Sequence, residues 1–180
     1  MKTSDKESFI FAGIAGIGKT TLAKKYSNVI DLESSPFAYD YSHIENPNNE
    51  QLKGDNSREP NPNFPMNYIN AIKENIDKFD YIFIWAHPDK IFHEYAKHGI
   101  EYIIIRPTPC MEIQKEYEQR FLSRGNSPEW AERVAKTLNN LEWTTKLEKT
   151  GKQIIALSPG ATLEDYLVSQ TNLPKLVSRF

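Results

Sequence analysis

The chain has 180 residues, a formal net charge of −2 and 39% apolar residues, enough for one domain with a buried core and a small insert. A pI near 6.1 argues against a strong non-specific hold on nucleic acid or on anionic membrane. Cys110 is the sole cysteine, which excludes an internal disulfide framework, and a packed, inert thiol is its expected state. Residues 1–7 are charged and lead into no signal-type apolar core. The first apolar stretch, Phe9 to Ile17, is broken by glycines and far shorter than the roughly 20 residues a membrane helix needs. A cytoplasmic protein with no membrane partner is expected.

Ser8 to Ala12 is a short apolar run ending in glycines, the pattern of a buried parallel strand. Thr20 to Asn28 has helix-forming composition, and Val29 to Leu32 reads as a second strand. From Ser42 to Pro65 the composition turns to asparagine, proline and acids, which predicts a long polar loop of the binding or covering kind. Tyr68, Ile69, Ile72 and Ile76 recur at helical spacing, so a helix is expected over Met66–Lys78. Tyr81 to Trp85 is the third strand. Pro88 suits the first turn of a helix ending at Gly99, and Tyr102 to Ile105 is the fourth strand. Thr108-Pro109 opens a helix on which Ile113, Tyr117 and Phe121 sit four apart, closed by Gly125. Ser127-Pro128-Glu129 starts another, with Trp130, Val134, Leu138, Leu141 and Leu147 along one face. Gln153 to Leu157 is the fifth strand, and Thr162 begins a last short helix with a capping box. Strands alternating with helices predict an α/β fold with a parallel sheet covered on both faces.

Gly13-Ile14-Ala15-Gly16-Ile17-Gly18-Lys19-Thr20 fits G-x-x-x-x-G-K-[ST] at every fixed position. Glycines let successive backbone N–H groups curl inward around phosphate oxygens. The following helix adds the positive end of its dipole. Lys19 supplies a point charge for the β- and γ-phosphates, and Thr20 offers a hydroxyl to Mg²⁺. ATP and Mg²⁺ are therefore the expected cofactors. An aspartate is usual at the end of the third strand in such proteins, yet Trp85-Ala86-His87 stands there. Magnesium is then left to Thr20, water and Asp31.

The string Gly13-x-x-Gly16-x-Gly18-Lys19-Thr20-Thr21 resembles the loop of small nucleotide and metabolite kinases such as adenylate and shikimate kinases. Glu116-Tyr117-Glu118-Gln119-Arg120-Phe121-Leu122-Ser123-Arg124-Gly125-Asn126 is similar to a signature of phage-encoded, adenylate-kinase-like P-loop proteins. The stretch Ile30 to Ser35, His87-Pro88 and Ile103 to Pro107 also resemble that group, so the likeness runs from about Phe9 to Asp165. The resemblance implies a three-layer P-loop fold with five parallel strands, an acceptor-binding insert over 36–79 and an arginine-bearing helical lid within 107–150, all in one domain. It implies transfer of the γ-phosphoryl group, with Thr21 among the nucleotide-binding residues and Ser34 among the acceptor-binding ones.

Arg120 and Arg124 lie one helical turn apart and share a face, where their guanidinium groups suit the charge that spreads over a transferring phosphoryl. The plainer alternative for Arg120 is a surface pair with Glu116. Arg133 is a further lid candidate, Arg106 stands at the ligand-binding edge of the fourth strand, and Arg58 in the polar loop suits an acceptor phosphate. Asp31 and Glu33 are spaced to serve one cleft as base or magnesium ligand, or else to cap a solvated turn. His87 suits a phosphate contact or a helix cap. Tyr68 and Trp85 suit stacking on an acceptor base or core packing, while Trp130 and Trp143 read as packing residues. His43, His93 and His98 have no metal-ligand spacing, so no zinc site is expected.

The leading expectation is a kinase acting on a nucleoside monophosphate, nucleoside or comparable small acceptor. A P-loop ATPase or nucleotide-dependent switch acting on a protein or nucleic-acid partner is the alternative, and a binding module without turnover is a third. Nucleic acid is the less expected partner, given the charge balance.

Overall fold

The computed structural model describes residues 8–40 and 58–179. Strand β1 (Phe9–Gly13) leads through the glycine loop into helix α1 (Lys19–Lys25) and strand β2 (Val29–Asp31). A short α2 (Ser35–Ala38) runs into β3 (Tyr39–Asp40), which pairs antiparallel with β4 (Glu59–Pro60). Then follow α3 (Met66–Asn75), β5 (Tyr81–Trp85), α4 (Phe92–Lys97), β6 (Ile103–Pro107), α5 (Met111–Ser123), α6 (Pro128–Leu138), α7 (Leu141–Glu148), β7 (Ile154–Leu157) and α8 (Leu163–Ser169). Of the polar segment expected as a loop over 42–65, residues 42–57 lie outside the described residues, as do residues 1–7 and His43.

The main sheet has five parallel strands in the order β2-β5-β1-β6-β7. Successive residues of a strand point to opposite faces, and Tyr81, Ile82, Phe83 and Ile84 of β5 are all 0% exposed. Both faces of the sheet are therefore covered, which accounts for an unbroken apolar run where a half-exposed strand would alternate. From β1 the chain travels to the β2 edge, returns to β5, then crosses to β6 on the far side of β1. That reversal opens a crevice at the carboxyl end of β1, the place where open parallel sheets bind ligands. The Gly13–Thr20 loop leaves β1 at that end.

Helices α1 and α3 end at Lys25 and Asn75, short of the expected Asn28 and Lys78, and two further helix boundaries differ from the sequence expectation. The helix after Pro88 begins only at Phe92, because residues 88–91 form a turn in which Lys90 and Ile91 N–H donate to His87 C=O. That turn delivers Ile91 and Phe92 into the core, and His87 is not the helix cap. The face expected to continue from Trp130 to Leu147 is divided at Asn139-Asn140. The Asn140 side chain accepts from Trp143 N–H at 2.9 Å and caps α7, restoring a donor that the helix start would leave unpaired.

The C-terminal segment ties down the opposite end of the sheet. Asn28 Nδ2 donates to Lys175 C=O at 2.9 Å and its Oδ1 accepts from Val177 N–H at 2.9 Å, while the Tyr81 hydroxyl donates to Pro174 C=O. Among the described residues no helix is long and apolar enough to cross a membrane.

Candidate functional site

The glycine loop is shaped by backbone geometry that side chains disfavour. Gly16 and Gly18 have φ of 82° and 108°, where a Cβ is strained. Gly16 is constrained twice. A Cβ there would stand 2.7 Å from Cε1 of Phe121 on α5, so that ring packs directly on the loop. Lys19, buried at 7% exposure, folds back and donates to Gly13 C=O and Ile14 C=O, both at 2.9 Å. A Cβ on Gly13 would meet its Cδ at 3.1 Å. The loop and its lysine thus close into one unit.

Helix α5 clamps this unit from above. Arg120 Nη1 donates to Gly16 C=O at 2.8 Å, Nη2 pairs with Glu116 Oε1 at 2.5 Å, and the guanidinium lies 4.4 Å from the Tyr117 ring centroid. Burial raises the Tyr117 hydroxyl pKa above its ordinary value, against an opposing pull from Arg120. The Glu116–Arg120 pair, the plainer alternative for this arginine, is present, but the same arginine also reaches across 104 residues to the loop.

Where β2 ends, Thr20 Oγ1 donates to Asp31 Oδ2 at 2.7 Å. Two residues on, Glu33 accepts from Ser35 Oγ at 3.2 Å. A cleft of about 650 Å³ runs from the loop to this point. Of the expected site residues it brings together Gly16, Gly18, Lys19, Thr20, Thr21, Glu33, Ser34, Arg58, Trp85 and Arg124. Gly13 lies behind Lys19, Asp31 reaches the cleft through Thr20, and Arg120 stays in its clamp without lining it. Arg58, entering from β4's start, stacks 3.8 Å over the Tyr39 ring centroid. The lining carries Lys19, Lys24, Arg58, Lys90 and Arg124 against the single acid Glu33 among the described residues. A chain of net charge −2 therefore concentrates positive charge here, the arrangement that raises the local concentration of an anion.

Three expectations require correction. Tyr68 does not stand in the cleft: it is 0% exposed, with Phe37 and Phe64 rings 5.2 and 6.2 Å away. Arg106 does stand at the carboxyl end of β6, but its side chain, 2% exposed, lies under the α6–α7 junction and does not line the cleft. Its Nη2 donates to Leu138 C=O at 2.5 Å, Nη1 to Thr144 Oγ1 at 2.8 Å and Nε to Pro107 C=O at 3.1 Å. Those three acceptors hold the fork that a substrate carboxylate or phosphate would need. His87 does not line the cleft either. Its Nδ1 is buried with no hydrogen-bond partner, and burial, followed by Lys90, lowers its pKa.

Sequence reasoning missed several lining residues. Lys24 sits one turn after Thr20 on α1, a spacing that was available to find it. Asn126 and Trp130 follow the α5 arginines; Trp130, expected as packing, lines the cleft while its ring meets Phe121 edge-on at 5.0 Å. Tyr39, Phe64 and Lys90 gave no local signal. Arg133 is exposed and does not line the cleft, Trp143 lies 5.2 Å from Arg106, and Cys110 is free at the start of α5.

Among the described residues, no three or more His, Cys, Asp or Glu side chains gather as a metal-binding group. Mg²⁺ does not require one, since it takes one or two carboxylates together with water and substrate phosphates. The Thr20 hydroxyl bonded to the Asp31 carboxylate is an all-oxygen donor set of that chemistry. Comparison with protein-family models and with curated proteins found no match to this chain.

Proposed function

We propose that this protein is an ATP-dependent phosphotransferase of the P-loop nucleotide-kinase type, moving a γ-phosphoryl group to a nucleoside monophosphate or similar small acceptor. The observation that carries the reading is one continuous cleft that joins the glycine loop and Lys19 to Glu33 and Arg58. A pure hydrolase needs room for water beside the nucleotide, whereas this cleft continues past the loop with polar and aromatic walls.

In this reading the fold is the three-layer P-loop arrangement, α5 to α7 form the lid, and residues 36–79 form the acceptor insert. Bound Mg-ATP would supply the phosphoryl group and the metal's charge for the β- and γ-oxygens. Lys19 would exchange its two carbonyl acceptors for phosphate oxygens, and Thr20 with Asp31 would hold the metal. Arg124 neutralises charge on the transferring group, while Arg120 keeps α5 seated on the loop. The bond from γ-phosphorus to the bridging oxygen breaks as one forms to an acceptor oxygen, leaving ADP. Where the acceptor is a hydroxyl, Glu33 takes its proton; a phosphate acceptor needs no base.

The test is ADP release measured with and without AMP, CMP, GMP, UMP and their nucleosides. Strong dependence on one of these acceptors supports transfer. Equal release without any of them supports the ATPase reading, and Mg-ATP binding without release supports a binding module.

A further inference from the structure

Strands β2 and β5 pair with Val29 opposite Tyr81, Ile30 opposite Ile82 and Asp31 opposite Phe83. Their ladder begins with Tyr81 N–H donating to Asn28 C=O at 3.1 Å and reaches Leu32 N–H donating to Phe83 C=O at 2.9 Å. In the even alternation of a parallel pair, the next rung is Trp85 N–H to Leu32 C=O. A side chain stands in that rung instead. The Tyr68 hydroxyl accepts from Trp85 N–H at 2.8 Å and donates to Leu32 C=O at 2.8 Å. One hydroxyl thus replaces a direct backbone bond and holds the two strands further apart than pairing would.

The place matters because the walls of the cleft begin there. Glu33 follows Leu32 directly, and Trp85 itself lines the cleft. Trp85 is fixed from its other side as well, since its C=O accepts from the Tyr95 hydroxyl at 2.9 Å. Tyr68 reaches this rung from α3, packed between Phe37 of α2 and Phe64, and Phe64 is also a lining residue. Burial raises its pKa above the ordinary phenol value, so at neutral pH the hydroxyl keeps the proton it must donate.

We propose that Tyr68 is a positioning residue whose hydroxyl wedges the β2–β5 ladder open by one rung and so sets the separation of Glu33 and Trp85 across the acceptor half of the cleft. The inference rests on the kinase reading only in assigning that half to the acceptor. Without the hydroxyl, Trp85 N–H and Leu32 C=O face each other across a buried gap, and leaving both unpaired is costly. They close into the missing rung, and the cleft narrows at Glu33 while the glycine loop keeps its shape.

The experiment compares Tyr68→Phe with Tyr81→Phe, which removes a hydroxyl bond of the same strand at its far end, to Pro174. Initial rates are measured with Mg-ATP and each of AMP, CMP, GMP and UMP, and a crystal structure of Tyr68→Phe is determined. The expected result is an acceptor KM raised about tenfold in Tyr68→Phe alone, with KM for Mg-ATP unchanged within about twofold. An acceptor KM equal to wild type, or an equal rise in both KM values, overturns the proposal. If none of the four nucleotides supports turnover in the wild-type protein, the nucleoside arm of the ADP-release assay decides the kinase reading and the crystal structure decides the wedge. A direct Trp85 N–H to Leu32 C=O bond then upholds it; unchanged strand spacing with water in the hydroxyl's place overturns it.

Discussion

Replacing Gly16 by alanine separates the two constraints on the loop. The first is conformational: at φ of 82° an L-residue pays about 1–2 kcal/mol over glycine. The second is steric, because the new Cβ would stand 2.7 Å from Phe121 Cε1 and 3.2 Å from its Cζ. Phe121 is 0% exposed and backed by Trp130 and Tyr117, so the ring cannot simply swing away, and overpacking of this kind costs about 1–3 kcal/mol. Gly16→Ala is therefore expected to lose about 2–5 kcal/mol of a total that is itself only about 5–15 kcal/mol. Phe121→Leu removes the clashing ring edge and leaves φ untouched. Urea denaturation of both single variants and the double variant closes the cycle. The double variant should be less destabilised than the sum of the singles by about 1–3 kcal/mol. Strict additivity would show that α5 does not bear on the loop, and the clamp described for Arg120 and Phe121 would go with it.

Arg106→Lys exchanges a three-acceptor fork for one ammonium, leaving at least one of Leu138 C=O, Thr144 and Pro107 C=O without its donor. A loss of about 3 kcal/mol in urea denaturation is expected; a change under about 0.5 kcal/mol would show that the fork does not hold the α6–α7 junction. His87 gives a pH dependence of defined sign. Its folded-state pKa is lowered below the ordinary value of about 6.5, so the unfolded chain takes up the proton first. Its contribution to stability is complete above about 6.5 and is lost as the pH falls below that value. The urea midpoint of the wild-type protein should therefore drop more than that of His87→Gln between neutral and mildly acidic pH. Parallel curves would contradict the buried, neutral imidazole.

The strands were legible because β5 and its neighbours are buried on both faces, and burial of that kind leaves continuous apolar runs in the sequence. The glycine loop was legible because its backbone admits few residue types. What escaped were features decided by distant partners. Arg106 reads as an edge arginine until Leu138 and Thr144, 32 and 38 residues later, are folded over it. Tyr68 reads as one more apolar position of α3, and only the strand register exposes the rung its hydroxyl fills. The α6–α7 break did have a local sign, the pair Asn139-Asn140, which the long apolar face of that region concealed. The start of α4 was misplaced because proline at a first helical turn is a preference, and burial of Ile91 and Phe92 outweighed it.

The most direct test of the central claim, that the Gly13–Thr20 loop seats a nucleoside triphosphate, is titration calorimetry of Mg-ATP into the wild-type protein and Lys19→Met. The account predicts saturable heat for the wild type and an affinity about tenfold or more lower for the variant. No heat with the wild type at millimolar ligand, or the same affinity for both proteins, would contradict it.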